Sequence, residues 1–196
     1  MKKLSLVISE KTVISEVVES ERKHQAVYFK FNYKISEESI KLFNEFGDIK
    51  SLELMRCIVD AELFIKFLAL LPHLENLSIY TTYLKNKEQT KSLEPPRLKK
   101  LKRLNFRNSD EKFLTFLEDS SVQSFHLGYP TQYPMKTVEE FLKTQSKLRK
   151  ISCFTVSVVD DSLMKVLIDL NLEKLHLECD KLDMSRIGNL ELVNTS

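Results

Sequence analysis

The sequence predicts an α/β solenoid, with a curved parallel sheet on one face and helices on the other. Three observations carry that expectation. An apolar motif recurs along the whole chain. Its copies are spaced at near-regular intervals, and most of the intervening segments carry helix start and stop signals.

The motif is L-x-x-L-x-L-x-x-(N/C/T/S), where L stands for any large apolar residue. Strong copies are Ile49-x-x-Leu52-x-Leu54-x-x-Cys57, Leu74-x-x-Leu77-x-Ile79-x-x-Thr82 and Leu101-x-x-Leu104-x-Phe106-x-x-Ser109. The pattern continues at Val122/Phe125/Leu127, Leu148/Ile151/Cys153, Leu172/Leu175/Leu177 and Ile187/Leu190/Leu192, with weaker copies at Leu4-x-Leu6 and Ala26-x-x-Phe29-x-Phe31. The first apolar residue of each L-x-L falls at 4, 29, 52, 77, 104, 125, 151, 175 and 190, so the gaps are 25, 23, 25, 27, 21, 26, 24 and 15. All but the last match the window of about 20–29 residues that defines leucine-rich repeats. The expected architecture is therefore a leucine-rich-repeat horseshoe, one domain over residues 1–196 with about nine repeats, weak over 1–35 and ending in a short repeat at 181–196.

Each L-x-L predicts a short strand whose alternate side chains enter the core. The chain must then travel back before it can start the next parallel strand. Residues 60–71 (DAELFIKFLALL) suit that return, with Asp60 as an N-cap, a dense apolar face and Pro72 as the stop. Residues 36–46 place Ile40, Phe43 and Phe46 at helical spacing, with Gly47 just beyond. Residues 110–117 repeat the logic with Phe113, Leu114 and Leu117, and residues 137–145 open on a capping box, Thr137-x-x-Glu140. Residues 161–170 predict a further helix, with the Asp160-Asp161 pair read as its cap and not as an acid–base dyad. Residues 11–25, amphipathic at Val13, Val17 and Val18, predict a helix as well. The polar return over 83–97, ending in Pro95-Pro96, predicts an irregular loop.

Composition narrows the function classes. The net charge of +2 gives no general pull toward nucleic acid or anionic membrane, and no apolar run approaches the roughly 18 residues of a spanning helix. The three cysteines, Cys57, Cys153 and Cys179, form no C-x-x-C pair, so neither a zinc site nor a disulfide framework is indicated. Such usage suits a reducing compartment, and the charged N-terminus does not read as a signal peptide; the expected setting is cytoplasmic or nuclear. His24, His73, His126 and His176 lack metal-ligand spacing, and no nucleophile elbow or glycine-rich phosphate loop occurs. The expectation is a binding protein without catalytic residues, cofactor or metal.

Strand alternation nominates the side chains that face outward. Among them Tyr80, Arg103, Asn105, Arg107, His126, Lys150, Phe154 and Lys174 form a basic and aromatic set, the composition favoured at protein-binding hot spots. They predict a concave-face site for a protein partner carrying acidic and apolar groups. The basic cluster Arg97, Lys99, Lys100, Lys102, Arg103 and Arg107 is read as a solvated edge beside acidic stretches, not as a phosphate-binding surface.

Repeats with Cys or a small polar residue after L-x-L, alternating with true helices, resemble the ribonuclease-inhibitor-like, intracellular class. The stretch IKSLELMRCIVDAELFIKFLALLPHLENLSI is similar to the repeat units of F-box/leucine-rich-repeat proteins, particularly divergent insect ones, and the opening KKLSLVISEKTVISEVVESERKHQAVYFKFN resembles the segment that follows an F-box there. The resemblance implies the substrate-recognition part of an F-box-type ubiquitin-ligase receptor. No F-box-like stretch precedes Leu4, so a ligase adaptor would be reached only through an F-box outside this chain. A freestanding repeat adaptor or inhibitor with no ubiquitin role is the alternative.

Overall fold

The computed structural model describes residues 4–8, 26–31, 35, 37, 40, 49–86, 94–128, 135–156 and 161–179. Ten strands are present among them: β1 (Leu4–Ile8), β2 (Ala26–Phe31), β3 (Ser51–Met55), β4 (Ile58–Asp60), β5 (Asn76–Tyr80), β6 (Tyr83–Lys85), β7 (Arg103–Arg107), β8 (Ser124–Gly128), β9 (Lys150–Val156) and β10 (Lys174–Cys179). Four helices join them: α1 (Ala61–Ala69), α2 (Lys112–Thr115), α3 (Met135–Thr144) and α4 (Asp161–Asp169). The fold is α/β. Eight strands form one sheet in the order β1-β2-β3-β5-β7-β8-β9-β10, and every pairing in it is parallel.

The register explains why the motif has its spacing. Leu52, Leu77, Leu104, Phe125, Ile151 and Leu175 lie side by side across six strands, and Leu54, Ile79, Phe106 and Leu127 form a second row two residues on. All of these are buried, as are the motif's first positions Ile49, Leu74, Leu101, Val122, Leu148 and Leu172. Each of the four repeats from Ile49 to Leu127 therefore supplies three apolar side chains to a continuous core, and at about 25 cal/mol per Å² that burial is the dominant favourable contribution. The start of each strand is tied to its predecessor in one recurring way. Two successive N–H groups donate to a single carbonyl of the previous repeat: Glu75 and Asn76 to Lys50, Lys102 and Arg103 to Glu75, Gln123 and Ser124 to Lys102, Arg149 and Lys150 to Gln123, Glu173 and Lys174 to Arg149.

Helix α1 forms where its caps require it. Asp60 is extended at the N-cap, and its carboxylate accepts from the N–H groups of Glu62 (3.0 Å) and Leu63 (3.3 Å). Phe64 from this helix meets Phe113 of α2 edge-on, with ring centroids 4.8 Å apart, and Phe125 of β8 lies 5.2 Å from Phe141 of α3. These aromatics fill the space between the sheet and the returns.

Several expectations need correction. Leu6 and Ile8, not Leu4 and Leu6, are the partners of Phe29 and Phe31. A slip of two residues keeps the same face inward, so alternation alone does not detect it. The return from Tyr83 is not irregular throughout, because β6 pairs with β4 in a separate two-stranded parallel sheet. Helix α2 has only four residues; Glu111 at its start is already helical, and it is Asp110 whose carboxylate accepts from the N–H of Lys112 (3.3 Å). Helix α3 begins two residues before Thr137, so Thr137 and Glu140 lie within it and form no capping box; Glu140 instead faces Lys136 one turn back at 3.9 Å. The expected helix over 11–25, most of that over 36–46 and the terminal repeat at 181–196 fall outside the described residues.

Candidate functional site

Outward-facing side chains of the large sheet form three rows that run across the strands, at about 4.8 Å per strand. The row at the N-terminal ends holds Ser51, Asn76, Arg103, Ser124, Lys150 and Lys174. The middle row holds Glu53, Ser78, Asn105, His126, Ser152 and His176, and the C-terminal row Met55, Tyr80, Arg107 and Gly128, with Phe154 next in register.

Hydrogen bonds lock neighbours within rows. Asn76 donates to Ser51 Oγ (2.8 Å) and accepts from Arg103 Nε. Asn105 donates to Ser78 Oγ at 3.0 Å, and the His126 Nδ1 atom lies 2.7 Å from Ser152 Oγ. The expected binding set is thus divided. Arg103, Lys150 and Lys174 stand on the N-terminal row, Asn105 and His126 in the middle, and Tyr80 and Arg107 on the C-terminal row.

Tyr80, Arg107 and His126 converge on a cleft of about 520 Å³ at the C-terminal ends of β3, β5, β7 and β8. Met55, Arg56, Thr81 and Asn108 complete its lining, and none of the seven lining residues is acidic. The last three of these were not legible as site residues in the sequence. Each follows the last residue of a strand and adopts a left-handed backbone, with φ of 53° at Arg56, 49° at Thr81 and 46° at Asn108. Asparagine tolerates that conformation, whereas arginine and above all β-branched threonine do so at a steric cost. Because the chain turns there, Arg56 N–H still donates to Tyr80 O and Thr81 N–H to Arg107 O, both at 2.9 Å, extending the ladder by one residue.

The turn is held from beneath by buried small residues. Cys57, Thr82 and Ser109 each donate from the side chain to the carbonyl two residues back, to Met55 (3.4 Å), Tyr80 (3.0 Å) and Arg107 (2.9 Å). The N–H of Cys57 donates to Thr82 Oγ1 (3.5 Å) and that of Thr82 to Ser109 Oγ (3.0 Å). That is why the motif ends in a small polar residue. A larger side chain would not fit a site that is 0% exposed at Cys57 and Thr82.

Two features set the electrostatics of the cleft. Arg107 lies over Gly128, where a Cβ would stand 2.7 Å from Arg107 Cγ, so the glycine leaves room for the arginine stem. His126 is held below the ordinary imidazole range, first by partial burial and then by the positive charges of Arg107 and His176. A serine hydroxyl against a histidine resembles a nucleophile–base pair. Here the two charges acting on the ring are cationic, which disfavours the imidazolium that a base must become, and the strand amides nearby are engaged in the parallel ladder. The pair reads as a cross-strand hydrogen bond.

The basic cluster is largely paired across repeats. Arg97 meets Asp119 at 3.2 Å, Lys102 meets Glu75 at 2.8 Å, and Lys100 Nζ lies 2.7 Å from His73 Nδ1. The Lys102 hydrogen bond is the main reason the Glu75 carboxyl sits below its usual range. Among the described residues no group of three or more His, Cys, Asp or Glu side chains is placed to hold a metal ion, and no helix is long and apolar enough to cross a membrane.

No protein-family model matches the chain, and a search of curated proteins finds no match to it.

Proposed function

We propose that this chain is a protein-binding domain of the leucine-rich-repeat type, with the outward face of the large sheet as its recognition surface. The observation that carries the reading is the cleft at the strand ends. Tyr80, Arg107 and His126 come together there with Met55 and Arg56 on adjacent parallel strands and the turns that follow them. A tyrosine and arginines on a backbone fixed by interstrand hydrogen bonds present contact area at low entropic cost, which suits protein recognition better than small-molecule chemistry. Recognition without catalysis is the accompanying proposal.

The similarity of residues 49–79 to F-box/leucine-rich-repeat units extends this reading. On that basis the domain is the substrate-recognition part of a ubiquitin-ligase receptor, holding a partner near a ligase assembled through an F-box in the parent protein. The mechanism is positional.

The test is affinity capture with the wild-type chain and with Tyr80→Ala/Arg107→Glu, both checked for folding by circular dichroism. Partners held by the wild type and lost from the variant support the surface, and an unchanged set overturns it. For the ubiquitin role, the full-length protein should co-purify with a cullin–RING adaptor; its consistent absence overturns that part alone.

A further inference from the structure

We propose that the cleft at the C-terminal ends of β3, β5 and β7 is a carboxylate-selective site that takes an extended acidic segment of a partner protein. The inference rests on the protein-binding reading of this face and names the chemistry the cleft selects.

Charge complementarity supplies the first argument. Arg56 and Arg107 both line the cleft, and none of the described lining residues is acidic. The chain as a whole carries 30 basic against 28 acidic residues, so two arginines without an acidic residue among the seven described lining residues are a local feature and not the average of the surface. An arginine fork matches a carboxylate in a plane, with two parallel N–H···O bonds.

Position supplies the second. Arg56 follows β3 and Arg107 ends β7, with β5 between them, so their backbones are two strand spacings apart, roughly 10 Å. Tyr80 occupies the interval, and Met55 stands beside it on the same row at the end of β3. In an extended peptide, side chains i, i+2 and i+4 share one side and advance by about 6.6 Å per pair. Acidic residues at i and i+4 then come within reach of the two guanidinium groups, while an apolar residue at i+2 meets Tyr80 and Met55.

Preorganisation supplies the third. The Arg107 stem occupies the space that a Cβ at Gly128 would need. The Arg56 backbone is held in its left-handed conformation by the N–H bond to Tyr80 O. Each arginine is thus anchored at its base, which lowers the entropy lost on binding.

The probe is a fluorescein-labelled peptide Gly-Glu-Ser-Leu-Ser-Glu-Gly, compared with its Gln-for-Glu counterpart by fluorescence polarisation at constant ionic strength. The glutamate peptide is expected to bind at least tenfold tighter than the glutamine peptide. Arg56→Gln and Arg107→Gln should each cost about tenfold. Gly128→Ala keeps every charge but displaces the Arg107 stem, and should also weaken binding several-fold. Lys136→Gln/Lys143→Gln removes two exposed cations on α3, away from the sheet face, and should leave affinity within twofold.

Equal binding of the two peptides, or no binding of the glutamate peptide, overturns the proposal. So does an equal loss in the Lys136/Lys143 variant, which would indicate unspecific attraction. A phosphoserine version binding more than tenfold tighter than the glutamate peptide overturns the carboxylate assignment. The two readings separate in the capture assay. If Arg56→Gln/Arg107→Gln retains partners that Tyr80→Ala loses, the acidic-segment inference fails while the protein-binding surface stands. If neither variant changes the captured set, both fail.

Discussion

The hydroxyl of Thr82 sits among three repeats, donating to the carbonyl of Tyr80, accepting from the N–H of Cys57 and standing one bond from Ser109 through the Thr82 backbone. Replacing it with the near-isosteric valine keeps the volume and removes the bonds. Thr82→Val is expected to cost about 1–2 kcal/mol, read from the urea midpoint, because buried polar partners are left unmatched. Its neighbour Thr81 has the opposite expectation. A β-branched residue at φ of 49° is strained, so Thr81→Gly should stabilise the chain by roughly 0.5–1 kcal/mol after the glycine's entropic penalty, in the same assay. The motif made position 82 legible as a small polar site, since packing restricts its size. It held no trace of the left-handed turn at Arg56, Thr81 and Asn108, because none of the three is glycine and φ leaves no mark in hydrophobic periodicity. His126 adds a pH dependence at this scale. Its folded-state affinity for protons is lowered, so below an unfolded pKa of about 6.5 the unfolded chain binds more protons than the folded one. The stability that goes with neutral His126 is present above that pH and is lost as pH falls through the depressed folded value. Thermal midpoints measured between pH 7.5 and 5 should show this fall, and His126→Asn should reduce it relative to wild type.

Elements are where local signals competed with tertiary ones. The sequence placed α1 within two residues at each end, because Asp60 caps its start and Pro72 follows its close. Helix α2 shares its apolar residues Phe113 and Leu114 with the core, and the Lys112 N–H donates to the Asp110 carboxylate, yet the helix ends after one turn. Three-residue strands such as β4 and β6 are too short for alternation to register, so their pairing is a tertiary result. The least expected structural residue is Gln145, just past α3 and 1% exposed. Its Oε1 accepts from Val122 N–H (3.2 Å), and its Nε2 donates to the carbonyl of Glu118 (2.9 Å) and to Thr144 Oγ1 (2.8 Å). One amide thereby joins the close of α3 to the turns after α2 and to the approach of β8. Gln145→Ala should destabilise the chain by about 2–3 kcal/mol, since a buried N–H and a carbonyl lose their partner. Chemical denaturation measures that loss.

At the scale of the molecule, the period of the apolar motif anticipated the strand positions and their parallel order. Neighbouring strands recur after 21–27 residues because each return must cover the same distance. The sites were half legible. Alternation identified which side chains face outward, but only the register decides that Tyr80, Arg107 and His126 gather at one end while Arg103, Lys150 and Lys174 stand at the other.

Sequential strand order also has a mechanical consequence. Because β1 and β10 are the outermost of the described strands and each of these is bonded only to the strands beside it, tension applied across the sheet loads one ladder at a time. The molecule should open like a zipper from an edge, and not by a single rupture. Freeing one repeat of about 25 residues lengthens the tether by roughly 80–90 Å at full extension. Force spectroscopy on a chain tethered at β1 and β10 should therefore record a staircase of small, similar steps; one large event spanning the whole sheet would show that the repeats break together.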